Sequence, residues 1–271
     1  MGFDVSRMER YTALLRLLRV FVRRDLREQY AGTALGAVWA IVQPLLLVGI
    51  YWWVFGVVWA LKIPAFDRGG GEIPFVVFLL SALLPWLAFQ DALNKGVTAI
   101  LSRADVLRHG QFPVGVFPLA RVLAAHLMFF ILIAGYVVLA LSELVLAAPS
   151  VLLALALLLG LQLLLACGVA TLLASLAVYI RDLPYLLSMV LMGVFFTAPV
   201  LYPMAQIPEA LRGWLWLNPY TPFATGYHRI LLEGAWPDGA VWGYATLLAL
   251  LACALAHRVF LRLRPGFADV V

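Results

Sequence analysis

Between Glu28 and Lys62 the chain carries no Asp, Glu, Lys or Arg, and the stretch "GTALGAVWAIVQPLLLVGIYWWVFGVVWAL" (32–61) is apolar almost throughout. Arg23, Arg24 and Arg27 stand directly before it. A helix needs about 20 apolar residues to cross the hydrocarbon core of a bilayer, and this run exceeds that length. It is not isolated. Hydrophobic residues make up 65% of the 271 positions and charged residues 12%, against about 25% charged in soluble domains. Even large soluble domains leave much of their surface in water, so a water-soluble fold could not hide this much apolar surface. The solvent for most of this chain is lipid.

Six spans are expected, at about 34–61, 73–93, 114–141, 151–180, 183–204 and 240–260. The runs are continuously apolar and lack the alternation of barrel strands, which predicts helices. The fold class is therefore an all-α integral membrane protein, a single transmembrane domain over 1–271. Counting Lys and Arg between the spans puts fourteen on one side and four on the other. The richer side includes Lys95, Arg103, Arg181 and Arg258; the poorer has Lys62, Arg68, Arg212 and Arg229. Positive charge stays inside, so both termini are expected in the cytoplasm, as an even number of spans also requires. The Arg-rich start lacks an apolar leader core, and no cleaved signal peptide is expected.

Ahead of the first span, Arg16, Arg19, Arg23 and Arg27 share one face of a helical wheel over 11–27, while Tyr11, Leu14, Leu15, Leu18 and Val22 share the other. This is an interfacial amphipathic helix within segment 1–33. It fits a simple anchor on anionic lipid or a helix that also meets a cytoplasmic partner. Asp25 falls on the apolar side, where it pairs with Arg24 or another element, or marks the helix end. Gly32 and Gly36 form a GxxxG that would allow close helix approach, and Pro44 is expected to kink the first span.

Segment 94–110, "NKGVTAILSRADVLRHG", places Val97, Ile100, Leu101, Ala104 and Leu107 on one stripe. It reads as a short amphipathic helix within connector 94–113, either a capped link or a mechanical handle. Segment 205–239 is too apolar for a plain loop and too rich in proline to span. Its pieces at 208–217 and 223–233 are helix-like, with Asn218-Pro219 as a turn. The expectation is a re-entrant pair entering from outside, tolerated only where protein or a water-filled cavity surrounds it.

The chain has no GxxxxGK[ST] loop, HExxH, CxxC or GxSxG, and its four histidines show no metal-ligand spacing. Cys167 and Cys253 sit in apolar runs and read as small buried hydrophobes rather than a disulfide or metal site. Few ionisable groups fall within spans; Asp91 and Arg121 could pair with each other. Any transport is expected to be powered by another chain. Tyr51, Trp52, Phe55 and Trp59, with Phe195, Phe196 and Tyr202, gather in the outer halves of spans one and five. They fit an interfacial aromatic belt or a track of flat faces for sugar rings.

With these motifs in hand, "RRDLREQYAGTALGAVWAIVQPLL" (23–46), "FPVGVFPLARV" (112–122), "YIRDLPYLL" (179–187) and "LNPYTPFATGYHRILLEG" (217–234) resemble, in order, the permeases of type-2 ABC exporters for O-antigen, teichoic acid and capsular polysaccharide. The resemblance implies a multi-pass half-transporter of the bacterial inner membrane, working as a homodimer above two cytoplasmic ABC ATPase subunits. It implies no cofactor on this chain, with ATP and Mg on the ATPase. The substrate implied is a polysaccharide on a lipid carrier such as undecaprenyl diphosphate. Asn94, Lys95, Ile100, Leu101, Arg103, Asp105 and Arg108 would couple to the ATPase, and the seven aromatics would line the polymer path. Trp214, Trp216, Asn218, Pro219, Tyr227 and Arg229 would form the periplasmic gate. By charge and location, Arg16, Arg19, Arg23, Arg24 and Arg27 would meet the lipid pyrophosphate. The chain departs from relatives at Gly110 and Gln111, where basic residues are frequent, and at His228, which separates Tyr227 from Arg229. Two alternatives stand beside this reading. One is a type-2 exporter of small lipophilic compounds; the other is an intramembrane lipid-linked glycosyl- or acyltransferase, which lacks a convergent acid, His or metal cluster.

Overall fold

The computed structural model describes residues 5–29, 31–33, 35–64, 72–103, 113–143 and 149–267. Helix α1 is Val5–Glu28. Helix α2, Trp39–Tyr51, continues as a π-helical segment, Trp52–Val58. A two-stranded antiparallel hairpin follows, β1 Lys62–Pro64 and β2 Glu72–Pro74, with Ile63 opposite Ile73. The remaining helices are α3 Phe75–Val97, α4 Val116–Glu143, α5 Pro149–Ala177, α6 Leu183–Thr197, α7 Glu209–Leu215, α8 Thr221–Glu233 and α9 Gly239–Leu263.

Among the described residues four helical stretches are long and apolar enough to cross a membrane: Phe75–Val97, Val116–Val137, Pro149–Ala177 and Gly239–Gly266. Two apolar stretches, Val42–Val58 and Leu183–Thr197, are shorter. The run read as one helix over 34–61 is helical from Gly36 to Val58, changing from 3-10 to α to π geometry along the way, and the helix read over 183–204 stops at Thr197. Beyond it the chain turns through Ala198 and Val200, both fully buried.

Two local features correct the sequence reading. Gly32 and Gly36 have φ of +77° and +52°, left-handed values that suit glycine. They lie in the non-α-helical backbone between α1 and α2, so the pair is not a GxxxG on one α-helical face. The hairpin is a small exception to an all-α fold. Ala60, at φ +46°, turns the chain into it, and the buried Ile63 side chain ties it to the core.

The main core joins α3, α4, α5, α6, α8 and α9, with Phe78, Leu79, Leu158 and Phe223 fully enclosed. Helices α5 and α9 touch closely at Gly168, where a Cβ would lie 2.7 Å from the Cys253 backbone nitrogen. A second, smaller core lies where α3 ends and α4 begins. There Phe21 of α1 meets Ile100, Val114, Val116 and Phe117, with the Phe21 and Phe117 rings edge to face at 5.2 Å. Phe21, which the wheel over 11–27 does not place on the named apolar face, is buried in this contact. Leu18 and Val22 join this contact, while Leu15 stays exposed. By contrast α2, α6 and α9 leave many large apolar side chains uncovered, among them Trp53, Met189 and Leu251.

Candidate functional site

Where α1 lies on the bundle, its buried acid is matched by two arginines from distant segments. Asp25 accepts a hydrogen bond from Arg103 Nη2 at 2.9 Å, and Arg121 Nε lies 3.4 Å from its other oxygen. The Asp25 and Arg103 side chains are 8% and 9% exposed. Arg103 also donates to Glu28 at 2.9 Å, and Arg24 pairs with Glu28 one turn back. The Arg24 hydrogen bond, aided by Arg103, holds the Glu28 carboxyl below its ordinary range, against desolvation. Asp25 therefore sits on the apolar face of α1 because that face carries an ion cluster beside its hydrophobic contact. Removing one partner of such a buried pair typically costs about 3–5 kcal/mol.

The segment proposed for coupling is distributed around this cluster. Asn94 and Lys95 belong to the last turn of α3, with Lys95 bonded to Asp91. Ile100 is fully buried, Leu101 is half-buried against the core, and Arg103 ends a 3-10 turn, Leu101–Arg103. Within the described part of segment 94–110, α3 ends at Val97 and a turn follows. Asp105 and Arg108 lie outside the described residues. The anticipated Asp91–Arg121 pair is replaced by Asp91–Lys95 and Arg121–Asp25, because α1 supplies a nearer acid.

Arg16, Arg19, Arg23, Arg24 and Arg27 are all exposed, with Arg24 also reaching Glu28 at the edge of the docked face. Of the aromatics assigned to a polymer path, Trp52, Trp59 and Phe196 are exposed in the single chain, while Tyr51, Phe55, Phe195 and Tyr202 are half-buried. The Phe55 ring stacks on Tyr51 at 5.9 Å and meets Trp59 edge to face at 5.2 Å. Phe195 stacks on the buried Trp86 at 5.5 Å, so part of its ring supports the core.

The α7–α8 region is held by two amide side chains. Asn218 donates to the Val194 carbonyl and to Thr197 Oγ1, both at 2.8 Å, and its own oxygen caps the Tyr220 N–H at 2.8 Å. This one residue fastens the turn before α8 to the end of α6. Deeper in, Gln162 of α5 accepts hydrogen bonds from the hydroxyls of Tyr220 and Tyr227, each 3.0 Å away. Its amide nitrogen donates to the Pro85 carbonyl at 2.9 Å. Gln162, Tyr220 and Tyr227 are fully buried, so each polar atom in this clamp depends on the others. The sequence signal for Gln162 was available: it is the one amide in the apolar run 151–180.

The other residues assigned to a gate divide by exposure. Trp214 is 70% exposed, Trp216 lies near Tyr244 at 6.1 Å, and Pro219 is exposed at the turn. Arg229 bonds Asp238 at 2.6 Å and lies 3.6 Å from Glu233, bracing the end of α8 against the start of α9. Tyr227 belongs to the buried clamp and not to an open surface.

An amphipathic helix thus clasps the end of the bundle and α8 is pinned within it while α7 stays exposed; the sequence that builds this matches the ABC-2 type transporter family across residues 16–232. The chain belongs to that family. As an ABC-2 permease it is similar along nearly its whole length to proteins named for polysaccharide transport. It is 30% identical over 263 residues to the O-antigen export system permease protein RfbA of Myxococcus xanthus, covering 94% of this chain and 95% of the relative. It is 25% identical over 261 residues to an O-antigen export permease RfbA of Klebsiella pneumoniae, with 95% and 96% covered. It is 24% identical over 258 residues to the polysialic acid transport protein KpsM of Escherichia coli, with 92% and 91% covered.

Proposed function

We propose that this ABC-2 permease is the membrane subunit of an ATP-driven exporter that moves a lipid-linked polysaccharide across the bacterial inner membrane. The observation that carries this reading is end-to-end similarity to O-antigen and polysialic acid transport permeases. Two copies form the conduit, through faces of α2 and α6 that leave large apolar side chains uncovered in one chain. Two copies of a separate ABC ATPase supply the nucleotide site, with ATP and Mg bound there. The chain itself performs no chemistry. Six crossings, with α7 and α8 as a re-entrant pair at the periplasmic side, place both termini in the cytoplasm.

In this reading nucleotide-driven motion reaches the permease at the α3–α4 connector, including Asp105 and Arg108. Arg103 passes it to α1 through Asp25 and Glu28. A bound nucleotide shifts the equilibrium between closed and conducting forms only as far as the ATPase contacts differ between those forms. The exposed arginines of α1 attract the anionic carrier at the membrane surface, and the aromatics of α2 and α6 offer sugar rings flat faces along the path. Arg229 and the Asn218 turn hold the outer gate.

The test is complementation of a strain lacking the permease, with polymer assayed outside the inner membrane and in the cytoplasm. The expected result is polymer trapped inside the deletion strain and exported when the gene is restored with a functional ATPase. Normal export in the deletion strain, or export unaffected by an ATPase that binds but cannot hydrolyse ATP, would defeat the reading.

A further inference from the structure

Between Asp238 and Arg258 helix α9 carries no charged side chain. That stretch is roughly 29 Å of helix, which matches a hydrocarbon core of about 30 Å. His257 therefore stands at the edge of the core, with Arg264 two turns further out among the headgroups and Cys253 one turn inside. All three line one groove of about 580 Å³, which runs between the middle of α1 and the helices α4, α5 and α9.

The groove follows from how these helices pack. Helix α1 enters the smaller core with Leu18, Phe21 and Val22 but leaves Leu14 and Leu15 exposed, at 39% and 64%. Those two leucines form one wall. The floor is the seam between α5 and α9, kept low because Gly168 lets the backbones meet and Cys167, Thr171 and Cys253 beside it are small. The mouth is basic. Arg264 lines it, and Arg258 and Arg262 are exposed at the same end of α9. Gly115 and Val116 line it too, which brings in the positive end of the α4 dipole. The carbonyl end of α9 opposes this with about half a unit of negative charge, less than the Arg264 guanidinium supplies.

An occupant that fits this gradient carries an anion at Arg264, a polar linkage at the level of His257 and an alkyl chain along the seam. A glycerophospholipid has these parts in this order. Three arginines at the end of α9 attract its phosphate and repel a headgroup ammonium, which favours an anionic over a zwitterionic lipid. We infer that the groove holds an anionic phospholipid of the inner leaflet. Its phosphate lies on Arg264, its ester carbonyls accept from the His257 ring N–H, and one acyl chain lies against Gly168 and Cys253. The bound lipid completes the docking of α1 by covering Leu14 and Leu15. The leaflet rests on the proposed orientation, in which the end of α9 is cytoplasmic. The lipid is a resident and not the cargo: its walls are α1, α4, α5 and α9, whereas the conduit is read at α2 and α6.

The probe is phosphatidylglycerol with a diazirine in one acyl chain, at trace level in phosphatidylethanolamine nanodiscs that hold the permease–ATPase complex, with labelled peptides mapped by mass spectrometry. Label is expected in 164–171 of α5 and 253–260 of α9. Unlabelled phosphatidylglycerol should displace it, and added phosphatidylethanolamine should not. His257→Gln/Arg264→Gln should lower seam labelling roughly tenfold, as loss of one charge-assisted hydrogen bond implies. Thr171→Leu, which fills the seam without changing its charge, should lower it as well and carries the comparison if the double variant does not assemble. Equally strong seam labelling by a diazirine phosphatidylethanolamine marks an ordinary boundary lipid and overturns the inference. Seam labelling that the variants leave unchanged does the same. Displacement by a polyprenyl phosphate as readily as by phosphatidylglycerol gives the groove to the carrier and also overturns it. A C-terminal tag cleaved only from the outer side would overturn the orientation, and the leaflet with it. Polymer export is measured in parallel: export without a lipid preference removes only this site, whereas absence of export on complementation removes the permease reading and leaves the labelling result standing.

Discussion

Arg103 and Asp25 are separated by 78 positions in sequence, yet their side chains meet at 2.9 Å in a place where each is less than a tenth exposed. The pair joins the amphipathic helix to the connector after α3. Arg103→Ala leaves Asp25 with only the longer Arg121 contact, and Asp25→Ala leaves both arginines short of an acid. Each single variant is expected to lose about 3 kcal/mol or more. The double variant Asp25→Ala/Arg103→Ala should lose clearly less than the sum, because the interaction between the two is lost only once. Thermal unfolding of the purified protein in one detergent, run as a double-mutant cycle, measures this. Additive losses would show that the two side chains do not interact.

Glu28 gives the same junction a dependence on pH. Its carboxyl is held below the ordinary value, first by Arg24 and then by Arg103. A depressed folded pKa means that the contribution is fully present above the unfolded value, about 4.3. It is lost as pH falls through the lower folded value. The Glu28 side chain is 46% exposed, so solvent screening limits the effect to about 1 kcal/mol or less. Unfolding midpoints of wild type and Glu28→Gln should differ at pH 7 and converge as the pH falls through the lowered Glu28 range. A gap that widened on acidification would contradict the assignment.

The fold was legible in proportion to how far each feature depended on composition. Continuous apolar runs announce helices wherever lipid or core surrounds them, and proline marks the breaks around α7 and α8. Contacts between distant segments were not legible. Nothing near Asp25 in sequence announces Arg103 or Arg121, so the acid on the apolar face could only be noted as an anomaly. The GxxxG at Gly32 and Gly36 misled because the spacing is the same for two helical glycines and for two turn glycines. Only φ separates them. Gln162 is silent in the sequence for a related reason: one amide in a long apolar run becomes meaningful only when Tyr220, just before α8, and Tyr227 within it are brought against it.

Close approach of α5 to α9 sets a steric test. At Gly168 an added Cβ would sit 2.7 Å from the Cys253 nitrogen and 2.8 Å from the Ala252 carbonyl carbon, both backbone atoms that cannot move aside as a flexible side chain would. Gly160, two turns earlier on the same helix, has nothing within 4 Å of that position. Gly168→Ala is expected to destabilise by about 1–3 kcal/mol through overpacking. Gly160→Ala should be neutral or stabilising by up to about 1 kcal/mol, the helix-propensity difference. Opposite shifts of the two unfolding midpoints are the result to look for, and a Gly168→Ala protein as stable as wild type would mean that the helices are further apart.

The Gln162 clamp makes the sharpest prediction because its partners can be removed one at a time. Gln162→Leu retains much of the side-chain bulk but leaves the buried Tyr220 and Tyr227 hydroxyls and the side of the Pro85 carbonyl without the partner each now has. An unmet buried polar group costs about 1–3 kcal/mol, so the single variant should lose about 2–5 kcal/mol. Adding Tyr220→Phe and Tyr227→Phe to Gln162→Leu removes the stranded hydroxyls, and the triple variant should be more stable than Gln162→Leu alone. That inversion, in which further loss of polar groups restores stability, is what a closed polar network inside an apolar core requires. Proteolysis of the 205–239 region, followed over time in the same variants, distinguishes a local from a global effect. If the clamp fastens α8 to α5, cleavage should accelerate in Gln162→Leu at temperatures where the rest of the bundle remains folded, and slow again in the triple variant.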